Sequence, residues 1–259
     1  MTQPLADSTT AELERLVAER LGDWPKQWEG FHWPGYTHEH TLRVRSLART
    51  LAAMEGADPV VVDLAALLHD IAKPQGAEHA RLGAAEAAAL LRSHGLNPHL
   101  VARVHDAIAT HSGDNTPTHP VENRVLGDAD LIDANFGLVA TWRFITIRAG
   151  RGSTVFETVA GFGDWLPRKD ELMHLLRTEA GHAVARERSA VMHDFCEQVA
   201  AAYRNGKHPA LRQLVELIFD EHERASLMAQ IARSRALLAQ DAPVGSVLRR
   251  LEAEISGEA

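Results

Sequence analysis

The chain has 259 residues, of which 45% are hydrophobic and 24% are charged, a profile typical of one large globular domain or of a domain with an appendage. Its 27 Lys and Arg residues are outnumbered by 35 Asp and Glu, and no basic stripe is apparent, so nucleic acid is not expected as a main partner. A single cysteine excludes an intramolecular disulfide, and the absence of a secretion signal and of any long apolar run predicts a cytoplasmic protein without a membrane span.

Ala, Leu, Glu and Arg dominate the sequence and strand-like alternation is scarce, which predicts an all-α fold. A segment rich in Gly and Pro at 22–36 carries three tryptophans, and we expect it to brace the core or to shape a pocket mouth. A polar loop is expected at 111–120, and RAGRGST at 148–154 interrupts the helical pattern without the GK[ST] ending of a P-loop. Helices are predicted over 8–21, 38–54, 59–72, 78–93, 98–110 and 121–147, and beyond 170 with breaks at Asn205–Gly206 and around Asp241–Gly245.

Four residues form a candidate metal site. His40 and His69 lie on the apolar stripes of their predicted helices, and Asp70 ends the apolar run VVDLAALLHDIA. Asp130 lies in the apolar context VLGDADLIDA. Each residue alone is more often structural, because a buried His or Asp is commonly satisfied by hydrogen bonds. Together, two imidazoles and two carboxylates on the inner faces of three helices make a plausible ligand set for a divalent cation.

The order of these residues resembles the signature of the HD-domain superfamily of metal-dependent phosphohydrolases. The surrounding sequence motifs HEHTLRV, LLHDIAK and DADLIDA also resemble those of this superfamily. The order of AIATHS followed by DADLIDA looks most like that of the stand-alone bacterial HD hydrolases. The resemblance implies a compact HD-domain helical bundle over 31–204, preceded by an N-terminal helix and the start of the Trp-rich segment in 1–30. A C-terminal helical extension would follow at 205–259. It also implies that His40, His69, Asp70 and Asp130 bind the metal, with Asp130 as the ligand from the DAD triplet.

Further candidates follow from the same resemblance. HARLG and AIATH look like the elements that supply additional histidines in two-metal relatives, so His79 and His111 are candidates for a second ion or for substrate binding. Ser112 stands where such sites carry a second His, which leaves one ion or two open. Lys73 is expected to bind substrate phosphate and to assist Asp70 in catalysis, with an ordinary lysine at a helix end as the alternative. Arg43 is a candidate for substrate binding and for bracing the site, with a surface salt bridge as the alternative.

The resemblance implies hydrolysis of a phosphomonoester or phosphodiester in a small phosphorylated metabolite or nucleotide. The cofactor would be one divalent ion, or two, with Mn, Fe, Co, Ni and Mg all acceptable to such ligands. Two alternatives stay open: a di-iron HD-type oxygenase that uses all six ligands, and a degenerate HD ligand-binding or regulatory module. A homodimer through the C-terminal helices also stays open.

Overall fold

The structure is a computed structural model that describes residues 7–22, 32–238 and 240–257. The regular secondary structure of this part of the chain consists of α-helices and short 3-10 helices, which confirms the all-α class. The α-helices are α1 (Asp7–Leu21), α2 (Tyr36–Glu55), α3 (Pro59–Leu68), α4 (His79–Ser93), α5 (Pro98–Thr110), α6 (Val121–Asn135), α7 (Leu138–Gly150), α8 (Val155–Ala160), α9 (Phe162–Asp170), α10 (Glu179–Asn205), α11 (Pro209–Glu221), α12 (Leu227–Leu238) and α13 (Ala242–Ser256).

The ends of the early helices follow their local sequence signals. The Asp58 carboxylate accepts a hydrogen bond from the backbone N–H of Val60 at the start of α3, and proline occupies the first helical position. Asn97 caps α5 in the same way, again next to a proline. The predicted ranges of α1, α2, α4 and α5 are confirmed to within two residues. These helices need no tertiary information to be located.

The third helix is shorter than the predicted range 59–72, because α3 ends at Leu68. Residues 69–72 form turns, and a 3-10 helix follows at Lys73–Gln75. The backbone N–H of Lys73 bonds the carbonyl of Asp70, so the chain tightens at this point instead of continuing as an α-helix. His69 and Asp70 therefore lie on the turn that leaves α3.

The predicted helix over 121–147 is two helices. Phe136 is extended and Gly137 has φ = 101°, a left-handed conformation that glycine adopts without a Cβ penalty. The chain bends there, and α7 starts at Leu138 and continues to Gly150, into the segment expected as a break. The carboxylate of Glu254, from α13, accepts hydrogen bonds from the first two N–H groups of α7, those of Leu138 and Val139. The cap of α7 thus comes from a helix far away in sequence.

The predicted break at Asn205–Gly206 is confirmed, with Gly206 at φ = 71°. Residues 222–226 form a further break that the sequence pattern did not indicate, between α11 and α12. The expected break around Asp241–Gly245 is narrower than predicted, because α13 begins at Ala242 and contains Gly245.

The buried side chains form two hydrophobic clusters. The first is built from α1 to α6 and the start of α10, and the candidate ligands lie where α2, α3, α5 and α6 meet. The second is built mainly from α7 and from α10 to α13, and Trp33 and Tyr36 belong to it. Because α10 contributes to both clusters, it ties the C-terminal helices to the helices that carry the site. The division of the chain at residues 30 and 204 stays a prediction.

Within the Trp-rich segment, Trp33 is 1% exposed and its indole N–H donates to Glu39 Oε2 at 2.6 Å, which fits a bracing role. Trp24 and Trp28 lie outside the described residues, so the expectation for the rest of the segment is untested. Among the described helices, none combines the length and the apolar character that crossing a membrane requires.

Candidate metal centre

The structure brings the four predicted ligands together in a buried site. His40 Nε2 lies 3.0 Å from Asp130 Oδ1 and 3.8 Å from Asp70 Oδ2. His69 Nε2 lies 3.6 Å from Asp70 Oδ2 and 3.9 Å from Asp130 Oδ1. His69 and Asp70 are fully buried, whereas the side chain of Asp130 keeps 21% exposure. A ligand-sized group could therefore reach the site from the side of Asp130.

Hydrogen bonds on the Nδ1 atoms orient the imidazoles. His40 Nδ1 donates to Asp133 Oδ2 at 2.7 Å. Three further histidines donate from Nδ1 to a backbone carbonyl three residues earlier: His69 to Ala66 O at 2.8 Å, His79 to Gly76 O at 3.0 Å, and His111 to Ile108 O at 2.6 Å. A carbonyl can only accept, so Nδ1 carries the proton, and in the neutral ring the lone pair of Nε2 points into the site. In their neutral form, these three rings thus present the nitrogen through which an imidazole can bind a metal ion.

The structure also brings His79, His111 and Lys73 to Asp70. The Oδ1 atom of Asp70 lies 3.1 Å from Lys73 Nζ, 3.5 Å from His79 Nε2 and 3.8 Å from His111 Nε2. Its Oδ2 atom faces His40 and His69 instead. The two oxygens of Asp70 therefore serve two different sets of neighbours. His105, also on α5, is half-exposed and its Nδ1 lies 3.0 Å from the carboxylate of its neighbour Asp106.

The pKa values of the site residues are shifted in opposite directions by burial and by their neighbours. Burial disfavours a charged His40, but the hydrogen bonds with Asp130 and Asp133 outweigh it and raise the pKa of His40 to about 10. Burial lowers the pKa of His69 to about 4. Burial would raise the pKa of Asp70, but His69, His111 and Lys73 together hold it well below its usual range. The carboxylates therefore stay ionised, and cations nearby are stabilised.

The residues fit a divalent cation. His69 Nε2, Asp70 Oδ2 and His111 Nε2 are buried and have no hydrogen-bond partner among the described residues. A buried polar atom without a hydrogen-bond partner costs on the order of 1–3 kcal/mol. A bound ion would give all three of these atoms a partner. The candidate ligand atoms of His40, His69 and Asp130 lie within 4.8 Å of one another, as do those of His69, Asp70 and His111. Mixed N and O donors of this kind accept Mn, Fe, Co, Ni and Mg.

Asp133 is a functional candidate that the sequence analysis missed. Besides His40, it binds the guanidinium of Arg43 through two hydrogen bonds, Nε to Oδ1 at 2.8 Å and Nη2 to Oδ2 at 3.0 Å. Arg43 is 2% exposed, so the alternative of a surface salt bridge is wrong, and its placement behind His40 favours bracing over substrate contact. The available signal was the spacing of Asp133, one helical turn after Asp130.

Two other neighbours define the surroundings of the site. The ring of Tyr36 stacks on that of His40, with centroids 5.8 Å apart and planes 5° apart. Asp128, the first Asp of the DAD triplet, is 1% exposed and accepts hydrogen bonds from the backbone N–H and the hydroxyl of Thr178, at 2.8 and 2.6 Å. Asp128 therefore holds the start of α10, and Asp130 is the member of the triplet that reaches the site.

Comparison with known proteins gives a consistent result. The sequence profile of the HD domain matches residues 37–135, a range that contains all four predicted ligands. A predicted HD superfamily hydrolase from an uncultured Thermotogales bacterium is 26% identical, with a TM-score of 0.54 over 74% of this chain and 92% of that one. An HD-superfamily hydrolase from Bacillus thuringiensis has the same fold at 22% identity, with a TM-score of 0.58 over 76% of this chain and 99% of that one.

Curated relatives show similar sequence identities to this chain. The uncharacterized protein YpgQ of Bacillus subtilis is 24% identical over 192 residues, which are 72% of this chain and 93% of YpgQ. A bifunctional uridylyltransferase/uridylyl-removing enzyme of Cupriavidus metallidurans is 29% identical over 108 residues. That match spans 42% of this chain but only 12% of the enzyme. Motif order, helical fold and matched profile agree, and residues 37–135 of this chain form an HD domain.

Proposed function

We propose that this protein is a metal-dependent phosphohydrolase that cleaves a phosphomonoester or phosphodiester in a small phosphorylated metabolite or nucleotide. One observation carries the proposal: the Nε2 atoms of His40 and His69 converge with Asp70 and Asp130, and His69 Nε2 and Asp70 Oδ2 have no hydrogen-bond partner within the part of the chain that the structure describes. The relation to proteins described as HD-superfamily hydrolases supports hydrolysis as the reaction type.

A divalent ion held by these residues supplies a Lewis acid for a phosphoryl oxygen and lowers the pKa of bound water. The chain itself contributes orientation and charge. Asp70 is ionised and buried, so its carboxylate can accept a hydrogen bond from a water molecule and orient that molecule toward phosphorus. Lys73 is 34% exposed and bonded to Asp70, so its ammonium group can also reach a phosphoryl oxygen and offset the charge that develops there.

His79 and His111 have two candidate roles. Because they face Oδ1 of Asp70 while His40 and His69 face Oδ2, these two histidines would hold a second ion together with Asp70. The same histidines could instead bind the substrate phosphate beside Lys73, whose Nζ lies 3.4 Å from His79 Nε2. The number of ions per chain separates these roles.

A nucleotide is one substrate class that the relatives support. YpgQ of Bacillus subtilis, at 23% identity and with a TM-score of 0.58, has a crystal structure in complex with ADP. The Cupriavidus relatives carry uridylyl removal in their names. We therefore include nucleotides among the phosphorylated compounds to be tested first.

The test combines metal content with turnover. Protein purified without added metal or chelator is analysed by elemental mass spectrometry and then assayed for phosphate release from a panel of phosphate esters. Asp70→Ala should abolish turnover while far-UV circular dichroism stays unchanged. Asp106→Ala is the matched control, because Asp106 is an exposed carboxylate on α5. Turnover that persists in Asp70→Ala refutes the assignment.

The two alternatives give different results in the same experiment. Two irons per chain with oxygen consumption, and no phosphate release, would indicate the di-iron oxygenase. No bound metal after reconstitution, together with no turnover, would indicate a ligand-binding or regulatory module.

A further inference from the structure

Two cationic side chains meet where α6 ends. Arg143, on α7, donates from Nη1 to the carbonyl of Ala134 at 3.4 Å, and Lys169, on α9, donates from Nζ to Asn135 Oδ1 at 2.6 Å. Arg143 also donates from Nε to His32 Nε2 at 3.2 Å. Both side chains are partly buried. In the described part of the chain, neither has a carboxylate within ion-pair distance.

Two like charges that find no counter-ion among the described residues are unusual at a partly buried position. Burial, and then the charge of Arg143, lower the pKa of Lys169 to about 8, because both make the charged form of Lys169 less favourable. The C-terminal end of α6 offsets only about half an elementary charge. The Trp165 ring, 5.8 Å from Lys169 Nζ, adds a cation–π contact but no negative charge. Among the described residues an excess of positive charge therefore remains, as expected of a site that receives an anion.

This pair lies close to the metal centre. The guanidinium carbon of Arg143 is 5.4 Å from the centroid of the Tyr36 ring, and that ring stacks on His40. His32, which accepts the hydrogen bond from Arg143, packs edge-on against Tyr36 at 4.2 Å. Burial, followed by the charges of Arg143, His40 and Lys73, lowers the pKa of His32 to about 3, so it is a neutral acceptor between the two groups of cations. One layer of aromatic rings thus separates Arg143 from the metal centre.

We infer that Arg143 and Lys169 bind a second anionic group of the substrate, a phosphate or a carboxylate, while its scissile phosphoryl group occupies the metal centre. The inference rests on the proposed function and narrows its substrate class. Preferred substrates carry two anionic groups several bonds apart, so that one reaches the metal centre and the other reaches beyond Tyr36. Compounds with a single phosphoryl group and a neutral remainder lack the second contact.

Binding of non-hydrolysable probes tests this inference independently of turnover. The probes are pentylphosphonate and the pentane bisphosphonate with a phosphonate at each end, and their affinities for the Mn²⁺-loaded protein are measured by isothermal titration calorimetry. The wild-type protein should bind the bisphosphonate more tightly. Arg143→Gln and Lys169→Gln should each weaken bisphosphonate binding on the order of tenfold, because each removes a charge-assisted hydrogen bond, and should leave pentylphosphonate binding unchanged.

Arg168→Gln is the matched control, since Arg168 is an exposed neighbour of Lys169 on α9 and its substitution changes the net charge equally. It should leave both affinities unchanged. Arg143→Lys keeps the charge and provides a second variant if Arg143→Gln fails to fold. Equal affinities of the two probes, or an equal loss for both probes in the variants, overturns the inference. Selective loss in a protein without hydrolytic activity would instead retain the anion subsite and refute the phosphohydrolase.

Discussion

Asp133→Asn is the substitution that best separates residues that support the proposed metal centre from its candidate ligands. The change keeps the shape of the side chain and removes its charge. Arg43, which is 2% exposed, would lose its counter-ion, and His40 would lose the carboxylate that accepts its Nδ1–H. An amide can rotate to accept one hydrogen bond, but it cannot balance the guanidinium charge.

The expected size of the effect follows from this geometry. Breaking a buried ion pair by removing one partner costs about 3–5 kcal/mol, which lowers the melting temperature of a chain of this size on the order of 10 °C. Loss of the carboxylate behind a metal-binding imidazole weakens metal affinity by about 10- to 100-fold. The unfolding cost should appear in the metal-free protein, and the affinity loss should appear in competition titrations with a chelator of known strength.

Asp128→Asn is the control for this experiment. Asp128 lies on the same helix, is 1% exposed and accepts hydrogen bonds from the start of α10. Its substitution should lower stability without changing metal affinity. If Asp133→Asn binds metal within twofold of the wild-type protein, Asp133 does not support His40 in the way described here.

Three further predictions concern other parts of the structure. Glu254→Ala removes the cap of α7 and should lower the free energy of unfolding by about 1–3 kcal/mol in urea titrations, whereas an unchanged midpoint would contradict the capping role. The pKa of Lys169 is lowered from 10.5 to about 8, so between these values the unfolded chain binds more protons and stability should rise with pH. Urea unfolding of Lys169→Met should lack this rise, and an identical pH profile would contradict it. Cys196 is 1% exposed and burial raises the pKa of its thiol, so it should react with a thiol reagent only after unfolding, and rapid labelling of the native protein would contradict that burial.

The positions of the candidate ligands could be predicted because each depends on local information. His40 lies on the apolar stripe of α2. The sequence motifs around His69, Asp70 and Asp130 are long enough to identify these residues and their order along the chain. The same holds for helices that begin at a cap and a proline, such as α3 and α5. The roles of these residues in binding metal stay predictions.

Other features depend on contacts between distant parts of the chain. The bend before α7 requires Gly137 and also Glu254, which lies more than a hundred residues later. The pairing of Arg143 with Lys169 requires α7 and α9 to meet at the end of α6. Neither relation leaves a periodic pattern in the sequence. The early end of α3 was missed because its apolar run continues past the last helical turn.

The hydrogen bonds that orient the four imidazoles imply that the rings differ in how far a substitution elsewhere can change their orientation. His69, His79 and His111 are oriented by main-chain carbonyls, which no side-chain substitution removes. His40 alone among these rings is oriented by a side chain, that of Asp133. Metal preference and affinity should therefore be tunable through residue 133, while the remaining rings keep their orientation in any variant that preserves the backbone. A library randomised at residue 133 would explore metal choice without dismantling the centre.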